Sequence, residues 1–404
     1  MNNCKLCGNT KLNKVISLGK SPLANNLLKK PKTAVLYPLE VEFCSNCFNC
    51  QLSYIVSRDE LFRGYLYVTS TTKTFRDHFG KMAEDITKEF KLGTHSLVVD
   101  IGSNDGLLLK KFNQLGIKTV GVEPAANIAE IARKDGVNTI VDFFNEDVVT
   151  KIVEENGEAD IVTANNVFAH TENLDVVVNN VKELLDLQGV FIIECQYLLD
   201  TIKDITFDNI YHEHIHYFSL LTLKKFFERF GMKIFKVEHI DNHGGSIRVY
   251  IQNDFINRDI DKSVIEFLKK EKRMGLHKLD TYKKFAKKAY KTRDDFKKYI
   301  KKLKSKKKTI VGYGAPAKAT TFLNFCKITN KQIDYVIDDN ALKQGLFIPG
   351  VNIPIKSKAE LDKKLPDYIV ILAWNFAPEI LKNLEEYKLR GVKFIIPQPK
   401  LKII

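Results

Sequence analysis

Apolar positions along the chain change period several times, and each change marks an element. Around residues 74–91 they recur at helical spacing. Residues 96–112, SLVVDIGSNDGLLLKKF, run from a continuous apolar stretch through a glycine turn into a helical pattern, which predicts a buried strand, a tight turn and a helix. KTVGVEP, VNTIV, ADIVTANNVFAH (159–170) and GVFIIEC (189–195) predict further strands. MKIFKVEH and HGGSIRVYI predict two more, joined by a turn into a hairpin. From 261 to 310 the period becomes helical again, with Leu268, Leu279, Tyr282, Ala286, Ala289, Phe296, Ile300 and Leu303 on one face. That describes an amphipathic helix or helix pair with lysines on the wet side. TIVGYGAPAKATTFLNF (309–325) then repeats the order strand, glycine turn, helix, and DYVIDDN, PDYIVILAW and KFIIPQP predict the strands that follow it.

Alternation of strands and helices over 404 residues predicts an α/β protein of several domains, each large enough for its own core. Hydrophobic residues at 44% and charged residues at 28% exclude collagen-like, low-complexity and disulfide-scaffold classes. No run reaches the roughly 20 apolar residues that span a bilayer, and the first residues, MNNCKLCGNT, hold no secretory core, so a soluble cytoplasmic protein without a membrane partner is expected. The net charge of +14 raises nucleic acid as a partner, but its location argues otherwise. Residues 261–310 hold 20 basic and 6 acidic residues, while the remainder is balanced at 43 of each. The excess therefore reads as the solvated face of a helical connector.

Five of the seven cysteines, Cys4, Cys7, Cys44, Cys47 and Cys50, fall in the first 50 residues. The pairs Cys4/Cys7 and Cys44/Cys47 have the spacing with which each clamps one side of a tetrahedral zinc ion, a staple for a segment too small to hold itself by burial. Cys50 competes with Cys44 as a partner of Cys47, so spacing alone leaves the ligand set open. With four thiolates and no open position, such a zinc is structural.

The first glycine turn differs from a dinucleotide fingerprint, because position 104, where a middle glycine would let backbone approach a pyrophosphate, is Asn. Glu123, ending the next strand in the sequence GVEP with Pro124, is placed to accept from both ribose hydroxyls of a nucleoside. Asp100, Gly102, Asp105 and Gly106 followed by Glu123 resemble the donor site of class I methyltransferases, whose S-adenosylmethionine has a ribose and no phosphate. Phe143 and Phe144, after Asp142, are candidates to wall the adenine, or else core of the next helix. Asn166 and His170 follow the fourth strand, at the end where ligands sit.

Three of nine histidines cluster at His212, His214 and His216. The pattern is not the HExxH that puts two histidines one helical turn apart, so a metal reading competes poorly with acid–base work or with a purely structural cluster. In HGGSIRVYI the two glycines either merely shape the turn, or Ser246 and Arg248 beside them hold phosphate or sugar oxygens, since Arg makes forked contacts to anions. In the last segment Gly312, Gly314 and Lys318 suit an anion approaching a helix start. A bound nucleotide sugar, a structural half-fold and a dinucleotide site, with Asp338 as its ribose acid, all remain open there.

Taken in order, the cysteine pairs, GYLYVTSTT (64–72), VVDIGSNDG, GVEP, NVFAH, YHEH, HGGSIRVY and GYGAPAKATTFLN resemble the nucleotide-sugar C-methyltransferases along nearly the full chain. The resemblance implies a zinc-bearing N-terminal module (1–72), a Rossmann-like S-adenosylmethionine domain (73–255), a helical connector (256–308) and a second, C-terminal Rossmann-like domain (309–404). It implies methylation beside the ketone of a nucleotide-linked keto-deoxysugar. His214 would be the base and Glu213 would orient it, while Tyr65, Tyr211 and His170 would donate toward substrate oxygens. An O- or N-methyltransferase on a sugar is the enzymatic rival. A zinc-containing RNA-binding or RNA-methylating protein is the rival from another class, and a scaffold without catalysis is the third.

Overall fold

A computed structural model describes residues 3–62, 69–71 and 73–404. Three sheets carry the architecture. The first is antiparallel, in the order Leu12–Ser21, Tyr37–Cys44, Cys50–Leu52 and His216–Tyr217. Its last strand comes from the histidine cluster, about 160 residues beyond its neighbours, so the cysteine-rich segment is completed by the part of the chain that follows the second sheet's parallel core.

The second sheet has seven strands, ordered Met232–Ile240, Ser246–Asn253, Leu185–Gln196, Ala159–Asn165, Leu97–Ile101, Lys118–Val122 and Thr139–Ile140. The last five of these run parallel, and Ser246–Asn253 is antiparallel to both of its neighbours. Leu97–Ile101 is buried at every position, as a strand covered on both faces must be. It lies between Lys118–Val122 and Ala159–Asn165, where the winding reverses, and the crevice beyond the carboxyl ends of such a pair is where ligands sit. The third sheet repeats this: Ile310–Tyr313 lies between Val336–Ile337 and Tyr368–Ile371, with parallel neighbours and antiparallel strands at the two edges.

The lysine-rich stretch is a helix pair, Lys262–Met274 and Leu279–Ser305. Its second helix buries Tyr282, Phe285, Ala286, Ala289, Phe296, Ile300 and Leu303. Tyr282 packs on Phe43 of the first sheet (ring centres 4.5 Å apart), and Phe296 packs edge-on against Phe322 of the helix Ala317–Cys326 (4.9 Å). Tyr290 Oη also bonds the backbone of Ser17. The connector is therefore a beam joining the first and third layers, and its lysines face solvent because the apolar stripe is already occupied. Among the described residues no helix is long and apolar enough to cross a membrane.

Candidate active site and zinc centre

Cys4, Cys7, Cys44 and Cys47 bring their sulfur atoms within 4.8 Å of one another. The Cys4–Cys47 and Cys7–Cys44 sulfur separations are 3.4 and 3.6 Å, close to the edge of a tetrahedron with zinc–sulfur bonds of about 2.3 Å. Both pairs use the same backbone device. Gly8 N–H bonds Cys4 C=O and Phe48 N–H bonds Cys44 C=O, each at 2.8 Å, with Gly8 and Phe48 both left-handed. This turns the amides behind the second cysteine inward. Cys50 lies outside the cluster, buried in the adjoining strand, so the open choice at Cys47 resolves to the pair Cys44/Cys47.

A cavity of about 1770 Å³ opens between the sheets. That exceeds the roughly 300–1,000 Å³ of a single small-molecule site and leaves room for a donor and an acceptor together. Residues 256–308 contribute nothing to its wall.

On the second sheet Gly102, Asn104, Glu123, Pro124, Phe143, Phe144, Asn165 and Asn166 line it. Gly102 sits at φ +66°, and a Cβ there would come within 2.5 Å of a Val167 methyl, so only glycine lets this turn close. Glu123 is buried; its two oxygens accept the Asn104 and Ala125 amides at 3.0 and 2.8 Å, which fastens the carboxylate at the end of its strand. Phe143 and Phe144 precede the helix Glu146–Asn156 and lie at the cavity, with the Arg58 guanidinium 4.0 Å from the centre of the Phe143 ring.

Asp100, Asp105 and Gly106 are near this wall but not on it. Burial pushes the Asp100 carboxyl up to about 7, and its Oδ1 accepts from Thr163 Oγ1 (2.6 Å) and Asn165 Nδ2 (3.3 Å). The amide end of Asn165 is thereby fixed, leaving its carbonyl oxygen buried without a partner beside the cavity, an acceptor suited to an ammonium group. Sequence reasoning missed Asn165, because nothing in the run TANN separates it from Asn166. Asp105 Oδ2 accepts the Ser70 amide (2.9 Å) and Asn104 Oδ1 accepts from Thr69, so these two side chains clasp the 69–71 turn onto the glycine turn. A ribose acceptor, aromatic walls and an unpaired acceptor for an ammonium fit S-adenosylmethionine.

His170, Tyr211, Glu213 and His214 line the same cavity. The Ile215 amide bonds Ala169 C=O (2.9 Å), and Leu52 N–H of the zinc sheet bonds Ile215 C=O (2.8 Å), which pins the histidine motif between the other two segments. The His170 and His214 rings consequently stack with centres 5.2 Å apart, and the Tyr211 ring centre lies 3.9 Å from that of His214. His214 Nδ1 is 2.7 Å from the Asn209 carbonyl. A carbonyl only accepts, so Nδ1 carries the proton and the basic lone pair belongs to Nε2. The Glu213 carboxylate accepts from Asn25 Nδ2 (2.7 Å) instead, and burial pushes it up to about 7. Glu213, given the orienting role by resemblance, thus bonds Asn25, while the Nδ1 proton of His214 points at the Asn209 carbonyl.

Two further candidates sit elsewhere. Arg248 is buried with its guanidinium on Glu194 (2.9 Å) and Glu238 (3.4 Å), and Ser246 Oγ bonds Asn242 C=O (3.3 Å). Neither lines the cavity, and the Arg248 cation meets the buried Glu194. Burial opposes its ionisation, but His78 and Arg248 outweigh that and hold it low. Gly312 is inside its strand, whereas Gly314 and Lys318 line the cavity with Tyr313, Asp338 and Asp339. Tyr65 lies outside the described residues.

Three family models cover the chain: a zinc binding domain over residues 4–62, a methyltransferase domain over 75–237 and a C-methyltransferase C-terminal domain over 241–399. C-methyltransferase NovU of Streptomyces niveus is 36% identical over 404 residues, 99% of this chain and 96% of that relative. The chain belongs to the C-methyltransferase family. Two solved structures align with part of it. Magnesium protoporphyrin IX methyltransferase of Synechocystis PCC 6803 is 13% identical, covering 44% of this chain and 83% of that one at a TM-score of 0.34. An S-adenosylmethionine-dependent methyltransferase of Clostridium acetobutylicum ATCC 824 is 11% identical, covering 48% and 95% at 0.36. The enzyme is an S-adenosylmethionine-dependent methyltransferase with a four-cysteine zinc site in its N-terminal sheet.

Two measurements probe this site. Glu123→Ala in the methyltransferase is expected to weaken S-adenosylmethionine binding about 10- to 100-fold, the scale of hydrogen bonds to a charged group, as read by calorimetry. An unchanged Kd would remove Glu123 from the donor site. Burial lowers His170 from 6.5 to about 4. Between those values the unfolded chain binds the extra proton and the folded one does not, so stability falls as pH drops through this window. Urea unfolding at pH 7 and pH 5 should show a smaller loss for His170→Gln than for the parent; an equal loss would show that His170 is not held neutral.

Proposed function

We propose that this enzyme removes a proton from the carbon beside the ketone of a nucleotide-linked keto-deoxysugar and methylates that carbon, a cytoplasmic step in branched-sugar synthesis. The observation that carries the reading is the His214 imidazole, its Nδ1 proton held by a backbone carbonyl and its basic nitrogen left as Nε2, in a cavity large enough for two ligands. A proton on carbon is weakly acidic, so the site must take it with a positioned base and stabilise the oxygen that gains charge. His214 supplies the base. Tyr211 and neutral His170, which keeps one N–H, are the donors on the same wall. Tyr65 completes that set by resemblance.

S-adenosylmethionine supplies the methyl group, on a cationic sulfonium that a carbanion can attack. Asn165, Glu123, Phe143 and Phe144 would hold it, with Gly102 and Pro124 shaping the turn and Asn166 beside it. The nucleotide is assigned to the third-sheet side, where Gly314 and Lys318 offer a close backbone approach and a cation. The name of the relative supports carbon as the methylated atom. RNA is disfavoured because the lysine-rich helices contribute nothing to the cavity.

The test is hydrogen exchange. With a panel of nucleotide-linked keto sugars in heavy water and no methyl donor, the enzyme should incorporate deuterium beside the ketone of its substrate. Methylation without any such exchange, with or without donor, would favour O- or N-transfer.

A further inference from the structure

The carbonyl that holds His214 belongs to a turn whose anchorage lies in the third-sheet layer. Phe207–Asn209 form a single 3-10 turn, closed by Asn209 N–H to Thr206 C=O (3.1 Å) and Ile210 N–H to Phe207 C=O (3.0 Å), so it moves as a unit. Phe207 is fully buried; its ring stacks on Phe322 (5.9 Å) and meets Phe325 edge-on (5.1 Å), both on the helix Ala317–Cys326. Asp208, only 1% exposed, accepts the Trp374 indole N–H at 2.7 Å. Trp374 follows the strand Tyr368–Ile371 and is the single tryptophan of the chain. Burial raises the Asp208 carboxyl, partly offset by the charge of Lys318, whose Nζ lies 5.4 Å from the centre of the Trp374 indole, and by the indole N–H.

Burying a carboxylate costs several kcal/mol unless donors meet it, so an aspartate placed there needs its partners. Neither Asp208 nor Trp374 lines the cavity, although Lys318, which packs on the indole, does. Their effect falls on the next residue, Asn209, whose carbonyl takes the Nδ1 proton of His214.

We propose that Asp208, gripped by Trp374, is a positioning residue for the base: it ties the turn to the third-sheet layer so that the Asn209 carbonyl sets the ring plane and tautomer of His214. The proton-abstracting side of the site is then aligned by the layer assigned to the nucleotide, and the two halves of the cavity work only when docked. This builds on His214 as the base for its effect on turnover, but not for its effect on the imidazole itself.

Trp374→Phe keeps an aromatic, though smaller, ring and removes the N–H, and Asp208→Asn keeps the volume and removes the charge. The full-length enzyme, labelled with 15N at histidine, gives long-range proton–nitrogen spectra in which comparison with His214→Asn identifies the His214 signals. The parent should show His214 protonated at Nδ1, and both variants should move toward a mixture of the two tautomers. Turnover with the panel-selected keto sugar should fall about tenfold or more in kcat, the scale of a misplaced reacting group, while KM and the S-adenosylmethionine Kd stay within about twofold. Unchanged His214 signals in both variants would overturn the positioning role whatever the activity. A shifted tautomer with full kcat would uphold it and instead remove His214 as the base.

Discussion

His214→Asn is expected to abolish methyl transfer and deuterium uptake together, each by at least about 10²- to 10⁴-fold, the contribution of a positioned general base. Asparagine is smaller and can still donate to the Asn209 carbonyl, so the turn keeps its partner while the Nε2 lone pair disappears. Donor affinity should be nearly unchanged, because the residues assigned to S-adenosylmethionine, Gly102, Glu123 and the Phe143–Phe144 pair, come from other segments of the cavity lining. Calorimetry with the donor, transfer of a labelled methyl group and exchange in heavy water separate these effects. Loss of transfer with exchange intact would mean that another group takes the proton, and normal turnover would remove His214 from the chemistry.

Zinc removal is expected to be as damaging, although the metal is far from being a reagent. In isolated zinc modules the metal contributes roughly 10–16 kcal/mol of apparent folding free energy, as much as a typical domain's whole stability. Here the cysteine sheet is continuous with the site: Cys50 pairs with Tyr217 and Gln51 with His216, and Leu52 bonds the carbonyl of Ile215, next to His214. Stripping the metal, or making Cys4→Ser with Cys44→Ser, should therefore lower activity in parallel with the loss of the first sheet. The tertiary signal of the second and third sheets should survive longer, since each also has a core cluster without residues of the first sheet. Metal content by atomic emission, near-ultraviolet circular dichroism and turnover after chelation test this; full turnover in metal-free protein would overturn it.

Local spacing makes much of this enzyme readable. The two cysteine pairs, the glycine turns at Gly102 and Gly314, and the apolar stripe of the connector each depend on residues a few positions apart, where chain geometry alone decides which side chains share a face. Six donor-site candidates, Gly102, Glu123, Pro124, Phe143, Phe144 and Asn166, lie on the cavity for the same reason: they follow closely on strand ends. Arg248 shows where such reading stops. Its fork suits an anion, but whether that anion is a ligand or Glu194 depends on a strand more than 50 residues away. Glu213 is a second case, since adjacency to His214 along the chain suggests a pair, and the tertiary partner is Asn25.

By itself, the sequence determined the alternation of strands and helices, the two ends of the zinc clamp and the types of side chain available for proton transfer, because these follow from periodicity and composition. Only the tertiary structure decided that His216–Tyr217 completes the zinc sheet, that Asn165 turns an unpaired oxygen beside the cavity, and that the Asn209 carbonyl holds His214. Two of these outcomes join residues far apart in the chain and the third spans five positions, and burial decides them all: each buried polar group takes the partner that packing brings within reach, wherever in the chain that partner lies.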